Sequence, residues 1–188
     1  YNDITYLKRG ILQNLFYSNG SLVEIRNNTL TADVSPQTEN VGLLYWSIGT
    51  GITATATNNT INANEHGARI WNCQGNLSIN GGTISGGQIG VYATTTDVYG
   101  NGSVQNASVN NVTITGSVAS GDTGVSVFSH LGGIGSSLTV NACQITGYDT
   151  GITSGGADAG GAFTGNTITA AAVGINVTQA ALSATNGL

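Results

Sequence analysis

Three observations predict that this 188-residue chain is all-β and winds into a single parallel β-helix of about seven coils. One short segment recurs six times with its apolar positions in the same places. A second short segment follows each copy. Between them stand turn residues rather than helix-forming runs: the chain holds 29 Gly, 21 Asn and 25 Thr but one Pro. A unit of about 23 residues cannot bury its own apolar face, so it must stack on copies of itself.

The first segment reads VEIRNNTLTA (23–32), ATATNNTINA (54–63), LSINGGTISG (77–86), ASVNNVTITG (107–116), LTVNACQITG (138–147) and GAFTGNTITA (161–170). Alignment puts Leu30, Ile61, Ile84, Ile114, Ile145 and Ile168 in one column, and Ile25, Ala56, Ile79, Val109, Val140 and Phe163 in another. The second segment reads VGLLYW (41–46), HGARIW (66–71), IGVYAT (89–94), TGVSVF (123–128), TGITSG (150–155) and VGINVT (173–178). Its inward positions are Leu43, Ala68, Val91, Val125, Ile152 and Ile175, then Tyr45, Ile70, Ala93, Val127, Ser154 and Val177. Alternation over so few residues is the strand period, one face in and one out. The glycine that opens each second segment marks a turn with positive φ or a tight backbone approach. Asn80, Asn110 and Asn141 share a position and read as an internal amide ladder.

Successive first segments lie 31, 23, 30, 31 and 23 residues apart. DVSPQTEN (33–40), VYGNGSVQN (98–106) and HLGGIGSS (130–137) account for the longer spacings and read as surface loops. YLKRGILQNLF (6–16) reads as an irregular first coil, and AALSATNGL (180–188) as a short, weakly apolar end. Neither end supplies a clear polar cap. The chain is therefore expected to be a module of a longer protein or to join head to tail with copies of itself.

The NNTI-type and GI/GV segments resemble the parallel β-helix repeats of the pectin-lyase-like superfamily, with GNTITA (165–170) and the NNT segments at 27–32 and 58–63 closest to the pattern. The resemblance covers roughly residues 10–180 and implies right-handed winding with three strands per coil. It implies no single activity, because this fold carries lyases, hydrolases, phage tailspikes, adhesins and inert spacers alike.

Charge narrows the partners. Charged residues are 7% of the chain and the net charge is −5, with all four bases, Lys8, Arg9, Arg26 and Arg69, in the first 69 residues. Nucleic acid needs several bases on one face, so it is excluded, and no apolar run is long enough for membrane insertion. Abundant Thr, Asn and Gly with little Lys suggest an extracellular or cell-surface setting. Cys73 and Cys143 occupy different repeat positions and read as separate buried thiols.

Two groups of residues bear on chemistry. Trp46 and Trp71 fall on outward positions one coil apart, beside Arg69 and Tyr92, and make a candidate carbohydrate-stacking platform; the competing reading is a satellite core beneath a loop. Glu65, Asp122 and Asp149 share the position two before the glycine, and two stacked carboxylates are the weak case for hydrolysis. Asp122 and Asp149 stand in DTG turns, where aspartate accepts local backbone hydrogen bonds. No metal or cofactor motif is present, so none is expected. The expected function is thus a non-catalytic structural or adhesin-type module with weak glycan contact. The alternative is a polysaccharide lyase or glycoside hydrolase.

Overall fold

The computed structural model describes residues 2–14, 20–33, 39–95, 103–117, 121–130, 135–156 and 158–178. Within them lie sixteen strands and no helix: β1 (Asp3–Tyr6), β2 (Arg9–Asn14), β3 (Leu22–Arg26), β4 (Thr29–Ala32), β5 (Val41–Trp46), β6 (Thr53–Ala63), β7 (His66–Trp71), β8 (Asn76–Gly86), β9 (Ile89–Thr95), β10 (Val104–Asn110), β11 (Thr113–Thr115), β12 (Thr123–Ser129), β13 (Ser136–Asn141), β14 (Gln144–Gly156), β15 (Ala159–Thr164) and β16 (Thr167–Thr178). Every pairing is parallel, and each strand apart from β1, β2, β3, β15 and β16 pairs with the coil before and the coil after it. The result is a β-solenoid of about six turns.

Three faces run along it. The first face stacks β3, the start of β6, the start of β8, β10, β13 and β15. The second stacks β1, β4, the ends of β6 and β8, β11, and the starts of β14 and β16. The third stacks β2, β5, β7, β9, β12, and the ends of β14 and β16. The second and third faces have seven levels, one more than the first. That extra level is the N-terminal coil. It is more regular than its sequence suggests: Ile4 pairs with Leu30 and Ile11 with Leu43, both in the columns of the later coils.

Registers match the repeat alignment throughout. Leu30, Ile61, Ile84, Ile114 and Ile145 are at most 1% exposed and form one internal column. Burial follows because strand alternation turns these positions inward in every coil, and each then lies on its equivalent at the inter-strand spacing of about 4.8 Å. Two tyrosines absent from the repeat pattern join this core. Tyr6 donates to Asn62 O (3.1 Å) and Tyr148 to Gly86 O (3.2 Å). Each spans coils, and burial raises both phenol pKa values well above the ordinary tyrosine range.

The corner between the first and second faces is tight in all six repeats. Its residue in the left-handed region is Asn27, Asn58, Gly81, Asn111, Ala142 or Gly165, with φ between 52° and 62°. Asn and Gly tolerate that conformation best, which explains their frequency in the repeats. The position after it carries an amide ladder, buried at Asn28 and Asn59: Asn2 Nδ2 donates to Asn28 Oδ1 (3.0 Å), and Asn28 Nδ2 to Asn59 Oδ1 (3.1 Å). Asn59 Nδ2 ends it on Ile25 O (2.9 Å). The ladder expected at Asn80, Asn110 and Asn141 is displaced from this one. Asn110 Nδ2 does donate to Asn80 Oδ1 (2.9 Å), but the pair is half-buried on the outward side of the first face, because Ile79 and Val109 take the inward places.

The glycine column works by close approach, not by positive φ. Gly42, Gly67, Gly90, Gly124 and Gly151 all have ordinary negative-side backbones. A Cβ on any of them would lie under 3.0 Å from Cγ2 of an isoleucine in the next coil, respectively Ile61, Ile84, Ile114, Ile145 and Ile168. Each glycine is the seat of the isoleucine above it.

The parts of 33–40, 98–106 and 130–137 numbered 34–38, 98–102 and 131–134 lie outside the described residues, as do 15–16 and 180–188. The other two loop readings run too far: Val104–Asn106 belong to β10 and Ser136–Ser137 to β13. In chain order the three insertions fall before β5 and after β9 and β12.

Truncating Ile114 to Ala should cost about 2–5 kcal/mol in denaturant unfolding, as for other fully buried aliphatic residues. Gly90→Ala should cost about 1–3 kcal/mol, because it overpacks a filled seat instead of emptying one.

Candidate functional site

The third face carries the aromatic candidates because its outward positions follow directly from alternation with the core column. Trp46 and Trp71 are in register on β5 and β7, and Arg69 is in register with Tyr92 on β9. The two indoles stack at 5.4 Å between centroids with 12° between planes. The Arg69 guanidinium carbon sits 4.4 Å from the Trp71 centroid and 5.5 Å from that of Tyr92. Tyr92 in turn meets His66 at 5.3 Å. The four carbohydrate candidates, Trp46, Trp71, Arg69 and Tyr92, therefore form one continuous cluster with His66.

The cluster is half-buried, and the surface around it is not a bare sheet. Leu44 and Thr94 alternate with core residues, yet are 1% and 0% exposed. Part of the indole surface is spent on the neighbouring indole and on Arg69, so a sugar ring would meet only what remains. Trp46 Nε1, Arg69 Nε and His66 Nδ1 are shielded from solvent without a hydrogen-bond partner. His66 Nδ1 comes no closer than 3.9 Å to Glu65 Oε1. Unpaired buried polar atoms cost about 1–3 kcal/mol each and favour any complementary group that can reach them. Burial, reinforced by the Arg69 charge, lowers the His66 pKa to about 4, so the imidazole is neutral at pH 7.

The acids line the His66 end of the cluster, away from the tryptophans. The ladder His66 N to Asn40 O, Ile89 N to Glu65 O, Thr123 N to Gln88 O and Thr150 N to Asp122 O fixes one column: Asn40, Glu65, Gln88, Asp122, Asp149. Asp122 and Asp149 are thus on adjacent coils, as the repeat spacing implies. This column lines the corner before the third face. Six residues of extended chain, about 20 Å, separate Glu65 from Trp71. Glu65 Oε2 accepts from Asn40 N (3.0 Å) and Asp149 Oδ2 from Gly121 N (3.1 Å), each on the preceding coil. Asp122 is buried at 9% exposure. Glu65 and Asp149 thus bond the backbone of the neighbouring coil, and Asp149, inside β14, does so in place of the local DTG-turn bond the sequence suggests.

Arg9 pairs with Glu39 at 3.5 Å, and Arg26 pairs with Glu24. Among the described residues, no three His, Cys, Asp or Glu side chains come together as a metal site. Cys73 and Cys143 are both free and buried. Burial pushes the Cys73 thiol up to about 12 and raises that of Cys143 as well. Sequence reasoning found the aromatic residues but missed His66 as a member of their cluster; its place just before the glycine column was the available signal. A groove of about 500 Å³ on the first face, beside Gln105, Ser137, Thr139 and Asp158, was not foreseen and lacks aromatic residues.

Comparison with known proteins gives no match: no protein-family model, no curated protein and no solved structure is significantly similar to this chain.

The depressed His66 pKa sets a pH dependence. The unfolded imidazole takes up a proton near pH 6.5 and the folded one only near 4, so protonation favours unfolding between those values. Stability attributable to His66 is complete above pH 6.5 and declines as pH falls toward 4. Between pH 7 and 5 the wild type should lose about 2 kcal/mol more than His66→Gln, read from denaturant midpoints. Separately, a thiol reagent at pH 8 should label neither cysteine of the native protein and both after denaturation.

Proposed function

We propose that the chain is a non-catalytic structural module of an extracellular or cell-surface protein, of adhesin or fibre type, that makes weak glycan contacts through the third face. The observation that carries this reading is the disposition of the acids. Glu65 and Asp149 spend carboxylate oxygens on backbone N–H groups of the preceding coil, and they stand at the opposite end of the third-face strands from the tryptophans. A retaining hydrolase needs two carboxyl groups flanking the bond that a bound sugar presents. Here the tryptophans, the main stacking surface, stand about 20 Å along the chain from Glu65, while Glu65 adjoins the His66 end of the cluster.

Glycan contact rests on the aromatic cluster. Stacked indoles offer apolar ring surface, and Trp46 Nε1 and Arg69 Nε are donors without acceptors. Sugars supply both complements, C–H faces and hydroxyl oxygens. Membership of the pectin-lyase-like superfamily and right-handed winding belong to the same proposal and rest on the repeat resemblance. The compartment rests on a composition rich in Thr, Asn and Gly and poor in Lys.

A panel of neutral and acidic polysaccharides separates this from the lyase or hydrolase alternative. The expected result is no release of reducing or unsaturated ends, with millimolar binding seen as a change in tryptophan fluorescence and lost in Trp71→Ala. Cleavage abolished by Asp122→Asn or Asp149→Asn would replace the module reading with the enzymatic one.

A further inference from the structure

Arg69 is a cation without a counter-ion at the centre of the aromatic cluster. The other two arginines on described strands are paired, Arg9 with Glu39 at 3.5 Å and Arg26 with Glu24. No described residue accepts a hydrogen bond from Arg69 or forms an ion pair with it. Glu39 and Glu65, the acids whose charges act on it, are engaged elsewhere: Glu39 with Arg9, and Glu65 Oε2 with Asn40 N.

Its neighbours do not supply what it lacks. Trp71 and Tyr92 hold the guanidinium carbon 4.4 Å and 5.5 Å from their centroids. Aromatic rings attract the cation through their faces but accept none of the N–H donors that radiate in the guanidinium plane. Nε is also shielded from water. Burial, the largest influence on Arg69, disfavours its charged form. The fold does not require a cation here, since the same outward column holds Leu44, Tyr92 and Ser126 on the neighbouring coils. With His66 neutral at pH 7, Arg69 is the one positive charge in the cluster.

We propose that Arg69 sets the specificity of the third face, and that the sugar taken there carries an oxyanion, either a carboxylate or a sulfate ester. This rests on the glycan-contact reading of the same face and adds the charge class of the ligand. Two oxygens of the anionic group accept from the guanidinium fork, a match that stacking on Trp71 pre-orients. The sugar ring meets the indole surface left open beside it, and Trp46 Nε1 remains as a donor to a hydroxyl.

Three polymers with one backbone test the charge class: dextran, carboxymethyl-dextran and dextran sulfate, titrated by tryptophan fluorescence at low salt. At least one charged form should bind about tenfold more tightly than dextran, as one charge-assisted contact allows, and NaCl should erode that preference. The tighter of the two identifies carboxylate or sulfate. Arg69→Gln should bring that polymer to the affinity of dextran. Arg69→Lys keeps the charge without the fork and should retain only part of the preference. Arg26→Gln, on the first face, should bind as the wild type does, and circular dichroism checks that each variant is folded. Equal wild-type affinity for all three polymers, or a preference that persists in Arg69→Gln, would overturn the proposal. In the former case, dextran binding that is lost in Trp71→Ala leaves the glycan-contact reading standing. Binding of none of the three polymers overturns both.

Discussion

The glycine seat is the constraint on which the rest of this fold depends. Hydrogen bonding sets successive coils about 4.8 Å apart, and within that spacing the isoleucine of one coil has nowhere to put its Cγ2 except over the backbone of the coil below. Only a residue without Cβ leaves the room. Seven glycines from Gly10 to Gly174 hold the corresponding place, and at five of them the isoleucine methyl group occupies it. The seat therefore fixes how the third face of one coil meets the second face of the next, and with it the register of every column. The left-handed corner at Asn27, Asn58 and their equivalents does the same for the first and second faces, through backbone conformation instead of contact. Two local devices, repeated, specify the whole stack.

That repetition is why the core was legible in the sequence. Six copies of one pattern overdetermine the alignment, and the column from Leu30 to Ile168 is in register at every level. What repeats once or twice was not legible. Tyr6 and Tyr148 fill the core between coils, yet one stands in an unrepeated first coil and the other after a register shift. The first coil lacks the NNT corner, although Gly10-Ile11 already carries the glycine and apolar order of Gly42-Leu43. The glycine column was recognised, but sequence alone does not separate a glycine chosen for φ from one chosen for space. The difference lies in a contact between residues about 20 apart in the chain.

The candidate site was less legible for a related reason. Inward positions answer to the stack, so their pattern reports the fold. Outward positions answer to whatever lies outside, and the two tryptophans form a single pair. Their placement on one face was readable from alternation. Their stacking on each other, and the joining of His66 through Tyr92, were not, because these depend on side-chain directions. The acids illustrate the converse. Asp122 and Asp149 do stand on adjacent coils, but carboxylate proximity alone says nothing about what the oxygens are bonded to.

The low charge of the chain follows from the same architecture. In a parallel stack each outward residue has its equivalent directly above and below, so a repeated charge would repel its own copies at every level. Neutral polar residues have the opposite property, since a hydroxyl or amide both donates and accepts and can bond along the column. Ser78 donates to Thr55 at 3.3 Å and Asn110 to Asn80 at 2.9 Å on adjacent coils. The charges that are present obey the restriction: Arg69 has Leu44 below and Tyr92 above, and Glu65 has Asn40 and Gln88. Asp122 and Asp149 are the exception, two like charges on adjacent coils, and one of them is held by a backbone N–H of the coil below. A solenoid built from one repeated unit thus selects Thr, Asn and Ser for its outer surface before any partner does, and the few charges and aromatics that depart from that selection are the residues whose presence the fold does not explain.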